Sequence, residues 1–180
     1  MPLIHVCPLR SVAETVAATK ATHLVSMLSP SSTPPMTPRS IEDRFHLKLF
    51  FNDITTPSAE HIAPSDEHVA AILGFAERWP RRAPIVVHCY AGISRSTAAA
   101  YMMACALDPE GPEDEIAAEL RAASPTATPN SLMNALADAR LGRSGRMIRA
   151  IQAIGRGAAG YEGAPFTLRI GNSGRQARPT

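Results

Sequence analysis

This chain of 180 residues has few cysteines, few aromatic residues, little net charge and no long apolar segment. Three cysteines do not make a disulfide framework, and a net charge of +2 does not indicate binding to nucleic acid. The longest apolar run, 98–107, has ten residues, well short of the ~20 that a membrane-spanning helix needs. The first residues show no basic stretch followed by a long apolar one, so we expect no signal peptide and a reducing, cytoplasmic setting.

What the chain does contain is an alternation of short β-type runs and helical periodicity, which is typical of an α/β domain. Hydrophobic residues, at 45%, suffice for a sizeable core, and the length predicts one domain. The predicted strands are 3–7, 22–28, 45–49, 85–87 and 166–170. The predicted helices are 65–79, 98–107, 112–123, 130–141 and 145–154. We therefore expect an α/β fold with a central twisted mixed sheet of roughly four to five strands flanked by helices. The domain is predicted at 1–157, and 158–180 is predicted to be a C-terminal extension, with a short strand at 166–170 and then disorder.

The most informative segment is the run His88-Cys89-Tyr90-Ala91-Gly92-Ile93-Ser94-Arg95, followed by Ser96. It joins a β-type run to an apolar helix, so its amides converge at a helix N-terminus and favour a bound anion. The same amides, with Arg95, favour the thiolate of Cys89. Arg95 can hold two phosphate oxygens at once, Gly92 permits a tight curl, and Ser96 can donate a hydrogen bond to the thiolate. The segment predicts a phosphate-binding loop with a nucleophile at its base. A buried structural cysteine before an ordinary helix is the alternative.

The pattern His-Cys, five residues, Arg, Ser resembles that of the cysteine-dependent protein tyrosine phosphatases. Its mid-chain position is similar to that in the dual-specificity branch and in small bacterial tyrosine phosphatases. The resemblance extends from residue 3 to about 141 and is strongest at 45–55 and 85–107. It implies a phosphatase-like three-layer architecture, a phosphocysteine intermediate on Cys89, and no metal or cofactor. It also implies that His88 orders the loop by hydrogen bonding.

Ester cleavage needs a second group that protonates the leaving oxygen. The family takes it from an aspartate a few tens of residues before the cysteine, and Asp53 lies 89 − 53 = 36 residues upstream, after a β-type run. We predict Asp53 as general acid in the first step and general base in the second. A turn cap before Pro57 is the alternative role. Asp66, at 89 − 66 = 23 residues, is the rival acid, although its surroundings are typical of a helix start.

Three further features each have two interpretations. Asn130 is predicted to support the site by bonding to the phosphate-loop backbone, or else to start a helix. The arginines at 143, 146, 149 and 156 form either a basic face for an acidic partner or membrane, or a solvated helix face. His61 and His68, with neighbouring acids, fit no compact metal motif, so surface histidines are the favoured interpretation.

The predicted function is hydrolysis of phosphomonoesters. The expected partner is a phosphorylated protein or a small phosphomonoester, with phosphotyrosine first and phosphoserine or phosphothreonine next, and no nucleic acid. Uncharged residues at 90, 91, 93 and 94 argue against inositol-lipid headgroups. Two alternatives stay open: a catalytically weak phosphate-binding module, and a rhodanese-type enzyme that transfers sulfur or arsenate. The oligomeric state is not indicated.

Overall fold

A five-stranded sheet forms the middle layer of the protein, in the order β3-β2-β4-β1-β5. The computed structural model describes residues 2–171. The C-terminal segment that was predicted to be disordered lies, from residue 172 onward, outside the described residues. The strands are β1 (Leu3–Pro8), β2 (His23–Leu28), β3 (His46–Phe50), β4 (Ile85–Cys89) and β5 (Phe166–Arg169). The first four are parallel, and β5 pairs antiparallel with β1. The predicted α/β class with a mixed sheet is confirmed.

Helices cover both faces of the sheet. They are α1 (Val12–Thr19), α2 (Asp66–Arg78), α3 (Arg95–Leu107), α4 (Glu113–Ala123), α5 (Ser131–Arg140) and α6 (Arg146–Ile154). The larger core lies between the sheet and α2–α6. The smaller core lies on the opposite face, where α1 and the segment before β3 cover the sheet. Sequence analysis missed α1, because the spacing of Val12 and Val16 is a weak helical signal in so short a segment.

The central pair β4 and α3 positions the loop between them. Every residue of β4 is buried, and so is every residue from Arg95 to Cys105 in α3. Alanines on all sides let this helix pack in the interior without a polar face. Because β1, β2 and β4 are parallel, their carboxyl ends meet at one edge of the sheet, where α/β folds bind ligands.

Of the four arginines at 143, 146, 149 and 156, the first two form ion pairs with Glu113, whereas Arg149 and Arg156 are exposed. Arg143 is buried, and its Nη1 lies 3.0 Å from Glu113 Oε1. Its Nη2 donates a hydrogen bond to the Cys105 carbonyl at 2.8 Å. Arg146 pairs with the same carboxylate at 3.0 Å. These two arginines therefore join α6 and its preceding turn to α4 and α3, which the solvated-face interpretation did not foresee. Within residues 2–171, no helix is long and apolar enough to cross a bilayer.

Candidate active site

Cys89 is the last residue of β4, and the loop 90–94 leads from it into α3. Its side chain is almost fully buried. The sulfur accepts a hydrogen bond from the Gly92 N–H at 3.3 Å and lies 3.2 Å from the Ser96 hydroxyl oxygen. The Gly92 amide is thus a hydrogen-bond donor to the sulfur, and the Ser96 hydroxyl can act as a second donor.

The loop can curl around the sulfur only with glycine at position 92. Gly92 has a φ of +72°, in the left-handed region. A Cβ atom there would lie 2.8 Å from the Pro8 backbone nitrogen and 3.0 Å from the Cys7 carbonyl carbon. The close approach of the loop to the end of β1 therefore excludes any side chain.

The loop carbonyls are held outward by hydrogen bonds from the rest of the fold. The Leu9 N–H donates to the Tyr90 carbonyl at 3.0 Å, and the Gly163 N–H donates to that of Ala91 at 2.8 Å. The Thr128 N–H donates to the Ile93 carbonyl at 2.9 Å, and the Asn130 N–H donates to that of Ser94 at 3.4 Å. In a trans peptide the N–H points opposite to the carbonyl. The amides of the same peptide units therefore point inward, as the Gly92 N–H does toward the sulfur. Converging amides of this kind form a site for an anion.

Arg95 is buried and has one edge of its guanidinium group already fixed. Nη1 donates to the Phe51 carbonyl at 2.7 Å. Nε is buried and has no hydrogen-bond partner within residues 2–171, and it lies 3.9 Å from Asp53 Oδ2. A buried guanidinium nitrogen without an acceptor is costly, so this edge is prepared for an anion.

Asp53 and Asn130 lie together at the same site. Asp53 Oδ1 accepts hydrogen bonds from the Ser94 hydroxyl at 2.7 Å and from Asn130 Nδ2 at 2.8 Å. The Asp53 carboxylate is about a third exposed, so it can meet a substrate. Because Oδ1 already accepts two bonds, Oδ2 is the oxygen that can carry a transferable proton. The structure thus brings Asp53 to the loop and to Arg95, rather than leaving it as a turn cap.

Asn130 combines both of its predicted interpretations, with one difference in detail. It is the N-cap of α5, where Oδ1 accepts from the Met133 N–H at 3.0 Å, as expected for a helix start. Its backbone N–H, not its side chain, donates to the Ser94 carbonyl of the loop. The side-chain amide instead donates to Asp53 and to the Ile54 carbonyl. The bond from Asn130 to the loop backbone is therefore made by its main chain, while its side chain caps α5 and binds Asp53.

His88 is completely buried on the opposite face of β4 from Cys89. Its Nδ1 contacts the Cys89 carbonyl at 3.1 Å, and its Nε2 contacts the Ser26 hydroxyl at 2.5 Å. Burial lowers the pKa of His88 to about 4, with the nearby Arg95 acting in the same direction. His88 therefore orders the strand end by hydrogen bonding, and it does not reach the substrate side of the loop.

The rival acid Asp66 and His68 lie at the start of α2, and His61 lies in the segment before it. Ser65 caps this helix through a reciprocal pair of bonds with His68, and Asp66 binds Arg140 at 2.6 Å. The bond from Arg140 lowers the pKa of Asp66. His61 contacts Ser58. Among the described residues, no group of three or more His, Cys, Asp or Glu side chains is arranged to hold a metal ion.

Sequence analysis missed the segment 157–163, which lies against the loop and its neighbours. Gly163 donates to Ala91, and a Cβ at Gly163 would lie 3.0 Å from the Gly92 carbonyl oxygen. Gly157 donates to the Thr128 hydroxyl at 3.2 Å. An ion pair between Arg10 and Glu162 also joins this segment to the turn after β1. Its glycines were the only sequence signal of such close approaches.

The sequence matches no protein-family model and no curated protein. Solved structures that are similar to most of this chain include the following two. A crystal structure of DUSP15 has a TM-score of 0.61 and 18% identity, and the match covers 86% of this chain and 91% of that one. A mouse protein described as a candidate dual specificity phosphatase, complexed with zinc tungstate, has a TM-score of 0.50 and 18% identity, covering 82% and 84%. The chain therefore has the fold of dual-specificity phosphatases, which confirms the predicted phosphatase-like architecture.

Proposed function

We propose that this protein is a phosphatase that hydrolyses phosphomonoesters through a phosphocysteine on Cys89. The observation that carries the proposal is the buried Arg95 Nε without a hydrogen-bond partner in the described chain, on the same loop as a thiol that accepts an amide hydrogen bond. A tetrahedral oxyanion above the sulfur supplies the acceptor that Nε lacks. The shared fold supports this use of the loop, and tungstate, present with the mouse protein, is likewise a tetrahedral oxyanion.

In the first step, the Cys89 thiolate attacks phosphorus and the bond to the leaving oxygen breaks. The inward amides and Arg95 hold the three remaining oxygens, over which the negative charge is spread in the transition state. Asp53 Oδ2 gives its proton to the leaving oxygen, so that no free alkoxide or phenoxide departs. Ser94 and Asn130 fix the carboxyl group through Oδ1 and leave Oδ2 free for this transfer.

In the second step, water attacks the phosphocysteine and the sulfur departs as a thiolate. Asp53, now ionised, accepts a proton from the water. The Ser96 hydroxyl, 3.2 Å from the sulfur, donates to the developing thiolate, and the Gly92 N–H does the same. Phosphate then leaves and the loop returns to its initial charge. The chemistry depends on a reduced sulfur, so we propose a reducing compartment for the protein.

The proposed substrates are phosphotyrosine in proteins first, then phosphoserine and phosphothreonine. The side chains of the loop carry no charge between Cys89 and Arg95, which supports a substrate with a single phosphate group over a polyphosphorylated inositol. The deciding assay compares turnover of matched phosphotyrosine, phosphothreonine and phosphoserine peptides with that of inositol phosphates. Turnover of none of these by the reduced protein contradicts the proposal, and binding without turnover identifies a phosphate-binding module instead.

The nucleophile and the acid are tested by substitution. Cys89→Ser should abolish turnover and prevent trapping of a phosphoenzyme, while phosphate binding persists. Asp53→Asn should slow turnover of esters with poor leaving groups most and flatten the alkaline side of the pH–rate profile, because no acid is then lost as pH rises. Asp66→Asn is the matched control, since it removes the same charge at the α2 start. If the pH–rate profile is normal for Asp53→Asn and altered for Asp66→Asn, the general acid is Asp66 and not Asp53.

A further inference from the structure

A small cavity lies at the end of the sheet that faces away from Cys89. It is formed where β2 and β3 begin and where α2 ends, and its volume is about 150 Å³. Because Cys89 ends β4, and β2 and β3 run parallel to β4, the beginnings of these strands lie at the opposite edge of the sheet. The side chains that line it are His23, Arg44, Phe45, Phe75 and Arg78. We call it the arginine cavity, and the mechanism above uses none of its residues.

A buried imidazole forms one wall of the arginine cavity. His23 is only 4% exposed, and its ring centroid lies 4.6 Å from that of Phe45 and 5.7 Å from that of Phe75. Its Nδ1 lies 2.9 Å from the Thr22 hydroxyl oxygen. Its Nε2 has no hydrogen-bond partner within residues 2–171, and the ring lines the cavity. The two phenyl rings therefore hold an imidazole whose second nitrogen can bind a polar ligand.

The protonation of His23 suits the binding of an anion. Burial lowers the pKa of His23, so its ring is neutral at neutral pH and carries one hydrogen. When the Thr22 hydroxyl donates to Nδ1, that hydrogen is on Nε2; when Nδ1 donates to Thr22 instead, Nε2 has a lone pair. An anion in the cavity selects the first arrangement, because Nε2–H donates to the anion whereas a lone pair repels it. The imidazole therefore offers a donor without having to gain a proton.

The two arginines give the cavity a positive charge that is only partly neutralised. Arg44 lies over the Phe45 ring, with its Cζ 4.7 Å from the ring centroid, and its Nη2 pairs with Glu42 at 3.0 Å. Arg78 forms no ion pair within residues 2–171. Its Nη1 lies beside Gly74, where a Cβ atom would be only 3.2 Å away. The glycine one turn earlier thus leaves room for this guanidinium group against α2.

We propose that the arginine cavity is a second anion site and that it binds a phosphate group. Its donors come from β2, from the turn before β3 and from the end of α2, so they approach a ligand from different directions. This arrangement suits a tetrahedral phosphate better than a planar carboxylate. A guanidinium group pairs with two phosphate oxygens at once, and His23 Nε2 can donate to a third. The phosphate is either inorganic phosphate, which the reaction at Cys89 would release, or an ester on a protein.

The ring nitrogens of His23 report binding at this cavity and not at Cys89, so a phosphate titration followed by NMR tests the inference. Sodium phosphate replaces sodium chloride in steps, at constant pH and constant ionic strength, in a solution of the wild-type protein. We expect a saturable change in the nitrogen chemical shifts of His23, which ends with a hydrogen on Nε2. A change no larger than in chloride alone overturns the inference. A lone pair on Nε2 at the highest phosphate concentration does the same.

Arg78→Gln removes the arginine of the cavity that has no ion pair in the described chain. The loss of charge-assisted hydrogen bonds should weaken phosphate binding at His23 by about tenfold or more. Arg82→Gln is the matched control, because Arg82 is exposed between α2 and β4 and does not line the cavity. Its affinity should stay within about twofold of the wild-type value, since salt screens a remote surface charge. Equal losses in the two variants would show that only the general charge of this end of the molecule matters, and would overturn the inference.

A phosphorylated peptide separates the two sources of the phosphate. The Cys89→Ser protein leaves the ester intact, so it can be titrated with a phosphoserine peptide and with the unphosphorylated form as control. A response of His23 at lower concentrations of the phosphopeptide than of inorganic phosphate assigns the site to a phosphorylated protein, and the reverse order assigns it to free phosphate. An equal response to the unphosphorylated peptide overturns the inference. If His23 responds to neither phosphate while aryl phosphates are turned over, only this inference fails; if His23 responds and no ester is turned over, only the phosphatase proposal fails.

Discussion

Asn130 offers the sharpest test of how the fold positions the general acid, because the two polar atoms of its side-chain amide have different roles. Its Oδ1 caps α5, and its Nδ2 donates to Asp53 at 2.8 Å. Loss of an N-cap costs about 1 kcal/mol of stability. Loss of a hydrogen bond to a charged group costs about 1.5–3 kcal/mol. Substitutions that remove one function and keep the other can separate the two.

Asn130→Ser keeps a capping hydroxyl, but its shorter side chain no longer holds Asp53. Asn130→Ala removes both the cap and the amide. We expect the free energy of unfolding to fall by about 1 kcal/mol more in the alanine variant than in the serine variant. Turnover of a poor leaving group such as phenyl phosphate should fall about tenfold to a hundredfold in both, since each 1.4 kcal/mol is a factor of ten. An activated aryl phosphate, whose oxygen needs less protonation, should lose less.

The assay combines denaturant unfolding with steady-state rates on leaving groups of graded basicity. If Asn130 acts only as a cap, the rate loss will follow the stability loss and the serine variant will resemble wild type. Wild-type turnover of phenyl phosphate by Asn130→Ser would refute the positioning argument. Equal losses on good and poor leaving groups would do the same, because they would show that protonation is not the step affected.

Three further predictions concern the loop and the helices behind it. Arg95→Lys should lower kcat/KM about a hundredfold or more and weaken vanadate inhibition, because a lysine has no planar fork; near-normal kinetics would contradict the bidentate clamp. Gly92→Ala should abolish Cys89 activation. Gly142→Ala, at a φ of +63° with no other atom within 4 Å of the added Cβ, should cost only the conformational penalty of about 1–2 kcal/mol. Equal unfolding and alkylation data for the two variants would contradict the role of crowding at Pro8. Glu113→Ala should lower the free energy of unfolding by about 3–5 kcal/mol, because it leaves Arg143 buried without its partner. Glu115 is exposed, so Glu115→Ala should lower it by less than about 0.5 kcal/mol. Similar values for the two variants in chemical unfolding would show that the buried pair contributes little.

Local chemistry made the phosphate loop and the sheet predictable from the sequence. The run from His88 to Ser96 specifies a strand end, a glycine turn and a helix start, and each of these depends on neighbouring residues. Asp53 required the family resemblance, because one aspartate before a proline is equally typical of a turn. Ser26 and His46 gave no signal, since a serine and a histidine in β-type runs have no periodicity that distinguishes a buried polar contact from a solvated one.

The remaining part of the site depends on contacts that no local pattern contains. The loop carbonyls accept hydrogen bonds from three separate segments, at Leu9, at 128–130 and at Gly163, and each bond turns one peptide unit so that its amide faces the sulfur. Loss of any one of these donors leaves a carbonyl to find another partner, at a cost of about 1–3 kcal/mol, and frees the amide to turn away. The anion site is therefore a property of the whole fold, and this explains why glycines at 157 and 163, far along the chain from Cys89, belong to its structure.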